Sequence, residues 1–108
     1  MGPATDARVV LVTAPDLEAA RRLARAWVDA KLVACVNLVP GIESIYRWQG
    51  KVEASNEVLL VVKTTADRVA ELEASLPGLH PYEVPEFVVL DAEHVAPRYA
   101  AWLAGETR

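Results

Sequence analysis

The stretch from Val33 to Thr64, VACVNLVPGIESIYRWQGKVEASNEVLLVVKT, constrains this chain more than any other. Gln49-Gly50 sits between Trp48 and Lys51 as a two-residue loop, and its glycine supplies the positive φ that tight hairpin turns need. Upstream of the turn, Ile42, Ser44, Tyr46 and Trp48 fall on one face and Glu43, Ile45 and Arg47 on the other, the period of a strand. Downstream, the unbroken apolar run Val58-Leu59-Leu60-Val61-Val62 predicts a strand covered on both faces. Each side of this hairpin reaches roughly 14 residues, or about 45 Å at about 3.3 Å per residue. A compact chain of this size has a radius of gyration of only about 13 Å. The hairpin must therefore bend, break or project. Pro40-Gly41 is the natural break, since proline gives up a ladder donor and glycine commonly marks a bulge. Beyond it, Ile42 to Asn56 carries Ile, Tyr and Trp that a small domain cannot easily cover. A bent arm folded back on its own domain is one solution. Burial against another subunit is the favoured one, because a bare apolar arm is an aggregation-prone edge.

At 108 residues and 53% hydrophobic, the chain reads as one domain over 1–108, with Met1 to Ala7 a loose leader. A net charge of −4 with no basic patch argues against a nucleic-acid partner. One cysteine allows no intrachain disulfide and gives no sign of an oxidising compartment. No signal-peptide shape and no apolar run near about 20 residues is present, so a cytoplasmic protein with no membrane span is expected.

Arg8 to Thr13 reads as a buried strand, and Asp16 as the cap of a helix with the apolar stripe Ala20, Leu23, Ala24, Trp27 and Val28. After the hairpin, Thr65 can cap a second helix with the stripe Val69, Leu72 and Leu76, and Pro77-Gly78 is expected to stop it. His80 to Glu86 is a loop whose two prolines hold His80 and Val84 out of helical geometry. Phe87 to Leu90 reads as the last strand. A final helix follows, with Pro97 in its first turn and Val95, Tyr99, Trp102 and Leu103 on one face. The order predicts an α+β, ferredoxin-like βαββαβ fold with a C-terminal helix and a long projecting hairpin between the second and third strands.

Several chemistries of this fold fail on residue type. The turn Thr13-Ala14-Pro15-Asp16 has no glycine, lacks an amide at Pro15 and carries a carboxylate, so it makes no anion cradle. The central run Leu59 to Val62 is aliphatic, unlike the aromatic sheet face of an RNA-recognition module. Cys35 is alone, reads as a small buried hydrophobe, and offers no Cys-x-x-Cys pair for copper(I). His94 beside Glu93 reads as a surface or capping residue, and His80 between Leu79 and Pro81 as structural. No catalytic constellation is evident.

Thr13-Ala14-Pro15, Ala34 to Asn37 (ACVN), Ser44 to Lys51 (SIYRWQGK), Leu60 to Thr64 (LVVKT), His80 to Glu86 (HPYEVPE) and Tyr99-x-x-Trp102 together resemble the CutA family of divalent-cation-tolerance proteins, in order from about Val9 to Leu103. The resemblance implies a ferredoxin-like protomer in a tight homotrimer, with the long hairpin packed across subunits. It implies a role in response to divalent metal ions, copper above all, and no established enzymatic activity. No cofactor is required; copper or another divalent cation is the metal implied. In copper-binding relatives the ligands are a cysteine just before Thr-Ala-Pro and two adjacent histidines before Pro-Tyr. Val12, Leu79 and His80 hold those places here, which leaves His80 as the metal-site residue and predicts weak copper binding. Cys35 matches a strand cysteine of the family. Two alternatives stay open. One is a PII-like trimer that senses a small molecule in intersubunit clefts; the other is an enzyme at such a cleft using Tyr82, Glu83, Lys63 or Arg47. The cleft candidates are Arg47, Trp48, Lys63, Tyr82, Glu83 and Trp102.

Overall fold

The computed structural model describes residues 6–108. Its elements are β1 (Ala7–Ala14), α1 (Leu17–Asp29), β2 (Cys35–Trp48), β3 (Lys51–Thr65), a 3-10 turn (Ala66–Arg68), α2 (Val69–Ala74), α3 (Leu76–Leu79), β4 (Val88–Asp91) and α4 (Pro97–Glu106). The strands form one antiparallel sheet in the order β2-β3-β1-β4. That is the ferredoxin-like arrangement. Residues 1–5 of the expected leader lie outside the described residues. Ala7 does not belong to it: it is buried and pairs with Thr65 in β1.

The core lies between one face of the sheet and the helices. Val10 and Val12 of β1, Leu60 and Val62 of β3, Leu23 and Trp27 of α1 and Leu72 of α2 are all fully buried in it. Each large aliphatic side chain so buried contributes about 1.5–3 kcal/mol. Trp27 ties two helices together: its indole N–H donates to Ser75 Oγ at 2.9 Å, and Ser75 Oγ donates to the Leu72 carbonyl at 2.6 Å. The run Val58 to Val62 is not covered on both faces as its composition suggests. Val58, Leu60 and Val62 are buried, while Leu59 and Val61 are half-buried, because helices cover one side of the sheet only.

Asp16 caps α1 as expected, its Oδ1 accepting from the Ala19 amide at 2.8 Å. The far end closes with Lys31 at φ 58°. The Lys31 amide donates to Val28 O and the Leu32 amide to Trp27 O, each at 3.0 Å, the Schellman pattern with lysine in the place glycine usually takes. Other expectations are corrected. Val28 is exposed on α1, and Tyr99 and Trp102 are exposed on α4, where Ala100 and Leu103 are the buried pair. The Thr65 hydroxyl donates to the Asp67 side chain rather than capping an amide. Pro77-Gly78 does not stop the helical run, because Pro77 falls in the first turn of α3, where its missing N–H is not needed. The run ends instead at His80, whose φ and ψ of −83° and 135° are extended. Cys35 is a half-exposed free thiol at the start of β2, not a buried one.

The hairpin runs as read. Gln49 and Gly50 have φ of 50° and 81°, the two positive values that a type I′ turn needs. At the break, Val39 pairs with Leu59 and Ile42 with Glu57, so Pro40-Gly41 adds one residue as a bulge, with Gly41 at φ 76°. Beyond the bulge the arm leaves the domain. The radius of gyration is 14.5 Å and the long axis 46 Å, against about 13 Å for a compact chain of this length. Among the described residues no helix is long and apolar enough to cross a membrane.

Candidate functional site

The loop that follows α3 lies against the arm, and the two enclose a groove of about 820 Å³. Thr13 and Pro15 come from the end of β1, Ser44 to Tyr46 and Trp48 from β2, Ser55 to Glu57 from β3, and Pro81 to Val84 with Glu86 from the loop.

His80 anchors that loop. It is 7% exposed, and both ring nitrogens are engaged. Nδ1 lies 3.1 Å from the Tyr82 amide, which can only donate, so Nδ1 accepts. The ring proton therefore sits on Nε2 and is donated to the Thr13 carbonyl at 2.7 Å. The imidazole also packs on the Tyr82 ring, with centroids 5.0 Å apart at 47°. These contacts aim the Tyr82 phenol at the arm, where its hydroxyl donates to Glu57 Oε2 at 2.6 Å. Glu57 is 8% exposed, and this is how a carboxylate is tolerated there. Burial, then the hydrogen bond and charge of Glu57, then the charges of Tyr46 and Asp16, push the Tyr82 phenol far above its ordinary range. Tyr82 thus stays a neutral donor, neither a nucleophile nor a base at neutral pH. Deeper in the arm, the Tyr46 hydroxyl lies 3.3 Å from Ser55 Oγ.

Of the residues singled out in the sequence, the structure brings Trp48, Tyr82 and Glu83 together in this groove. Arg47 is near the arm tip, its guanidinium 3.5 Å from the Gly50 carbonyl, and does not line it. Lys63 lies at the opposite end of β3, about 20 Å of strand from Glu57. There its Nζ donates to Asn37 Oδ1, which is 4.0 Å from Cys35 Sγ. Trp102 is on α4, its ring 5.4 Å from that of Tyr99. Burial first, then the charge and hydrogen bond of Cys35, raise the Tyr99 phenol. The sequence reading missed Glu57 and Tyr46 as groove residues. Glu57 did carry a signal: an acid directly before a buried apolar run needs a partner.

The residues to which the resemblance points for copper do not fit a metal ion. Val12 is buried and apolar, Leu79 offers no donor, and neither nitrogen of His80 is open without breaking a hydrogen bond to the backbone. Among the described residues no three of His, Cys, Asp and Glu are grouped to hold one.

Comparison with known proteins matches residues 8–106 to the family described as CutA1 divalent ion tolerance protein. A divalent-cation tolerance protein CutA of Thermus thermophilus is 48% identical over 92% of this chain and 96% of its own. A chloroplastic CutA protein of Arabidopsis thaliana is 44% identical over 93% of this chain and 55% of its own. Among solved structures, CutA1 from Oryza sativa superposes with a TM-score of 0.93 at 41% identity, covering 99% of this chain and 98% of that one.

Proposed function

Because the chain belongs to the CutA1 family of divalent ion tolerance proteins, we propose that it serves in tolerance of divalent metal ions as a non-enzymatic homotrimer. One observation carries the assembly: the apolar surface that a lone protomer leaves open. Ile45 and Val52 on the arm are 70% and 66% exposed, and Val88, Val89, Leu90, Tyr99 and Trp102 are exposed as well. Surface of that kind marks an interface. The number three is what the family resemblance implies. Sedimentation equilibrium at micromolar protein should give three chains per particle; a stable monomer would refute the assembly. A cytoplasmic location belongs to the same proposal, on the strength of a lone free Cys35.

Copper is not held tightly at His80 in this reading. The support is the pair of backbone hydrogen bonds that occupy the ring and the apolar neighbours Val12 and Leu79. Isothermal titration with copper(II) should find affinity no better than micromolar. Saturable nanomolar binding that disappears in His80→Ala would restore a copper site there.

The groove favours a second reading, that of a small-molecule-sensing trimer. Its polar groups are positioned but lack a nucleophile with a base beside it, which supports binding rather than turnover. Turnover lost on Glu83→Gln would instead make the cleft an active site.

A further inference from the structure

We propose that the groove between the arm and the loop after α3 binds a small organic cation, an amine or a quaternary ammonium. This deepens the small-molecule reading and rests on it. The lining supplies three aromatic rings, Tyr46, Trp48 and Tyr82, and three carboxylates, Glu57, Glu83 and Glu86, with no Lys, Arg or His among them. Aromatic faces attract cations through their negative quadrupole, and Arg or ammonium groups are their usual partners. At about 820 Å³ the space suits a small molecule, since such sites span about 300–1,000 Å³.

The electrostatics run the same way. Glu57, Glu83 and Glu86 bring negative charge to the groove, and, after burial, the hydrogen bond and charge of Glu57 oppose ionisation of the Tyr82 phenol. The groove therefore repels a phosphate or carboxylate ligand. A bare metal ion finds no set of three grouped donors among the described residues. Glu57 is fixed in the wall by the Tyr82 hydroxyl, whereas Glu83 and Glu86 are exposed on the loop. Preorganised aromatic walls with a carboxylate rim leave an organic cation as the ligand class that matches both.

The test is calorimetry and amide and indole NMR titration of the full chain with four probes: choline, spermidine, acetate, and 3,3-dimethyl-1-butanol, the neutral isostere of choline. Choline and spermidine should saturate and shift the Trp48 indole and Tyr82 signals, with the neutral isostere at least about tenfold weaker and acetate silent. The double variant Glu83→Gln/Glu86→Gln changes only exposed side chains. It should weaken the two cations by about tenfold and leave the neutral probe unchanged. Trp48→Leu, checked for assembly, should weaken choline similarly. Equal groove binding by choline and its neutral isostere would overturn the charge selectivity while keeping the ligand cleft. No groove shift with any probe at millimolar concentration would overturn both.

Discussion

The hairpin contains two regions built on the same ladder. At its root, Cys35–Val39 pair with Leu59–Lys63, and β3 there lies under the helices with Leu60 and Val62 fully buried. In the arm, Ile42–Trp48 pair with Lys51–Glu57 just as regularly, yet Ile45, Tyr46, Trp48 and Val52 are exposed. Backbone pairing is therefore not what separates them. The root's side chains stabilise the protomer; the arm's large apolar side chains are left exposed by it.

Substitutions should divide along that line. Leu60→Ala empties a fully buried site in the root and should lower unfolding free energy by about 2–5 kcal/mol. Val52→Ala, in the arm, should stay within about 0.5 kcal/mol for the dissociated protomer. Equal losses in denaturant titration would abolish the distinction. Trp48→Ala should do its damage elsewhere, weakening assembly by about 2 kcal/mol or more while leaving the protomer's circular dichroism unchanged. Sedimentation on dilution reads this, and an unchanged particle mass would mean that the tip is not an interface.

Tyr82→Phe probes the hydrogen bond that joins the loop to Glu57 of the arm. It strips a buried carboxylate of its donor and should cost about 1–3 kcal/mol. The Tyr82 phenol is raised in the folded state, so its contribution is fully present below pH 10 and fades as pH rises toward the folded value. The stability difference between wild type and Tyr82→Phe should therefore shrink above pH 10. A constant difference would separate the stabilisation from the phenol's ionisation. Gly41→Ala should cost less than Leu60→Ala or Trp48→Ala. An added Cβ meets no atom within 4 Å, so the cost is the positive φ alone, about 1 kcal/mol. A larger loss would mean that the bulge fixes the arm's direction as well as its register.

The fold was legible because its signals were local. Gln49-Gly50 demanded a turn, Pro40-Gly41 a bulge and Asp16 a cap, and each follows from the chemistry of a few adjacent residues. The errors fell where coverage depends on the layer opposite. Nothing in Val58 to Val62 says that only one face meets a helix, and nothing in Val28 or Trp102 says that a neighbour is missing. The groove was half legible. Tyr82 and Glu83 stood out in a stiff proline-bounded loop, but their meeting with Glu57 and Tyr46 joins segments far apart in the chain. The place of His80 between Leu79 and Pro81 suggested a stiff position, but its two backbone partners, Thr13 and Tyr82, were not foreseeable.

β1 lies inside the sheet, yet it is the first strand the chain makes, and both its neighbours come late. β2 and β3 need only the loop Gln49-Gly50 to find each other, whereas Val10 must wait for Val62 on one side and Val89 on the other. Contacts that close most of the chain form slowly, since loop-closure entropy precedes their reward. Folding should therefore be ordered in time: pulsed hydrogen exchange on refolding should protect the β2–β3 amides early and the β1–β4 amides last, and simultaneous protection would remove that order. During synthesis, a chain that has not yet reached Val88 keeps one edge of its most buried strand unpaired. That intermediate is the form of this protein most exposed to misassociation on the ribosome.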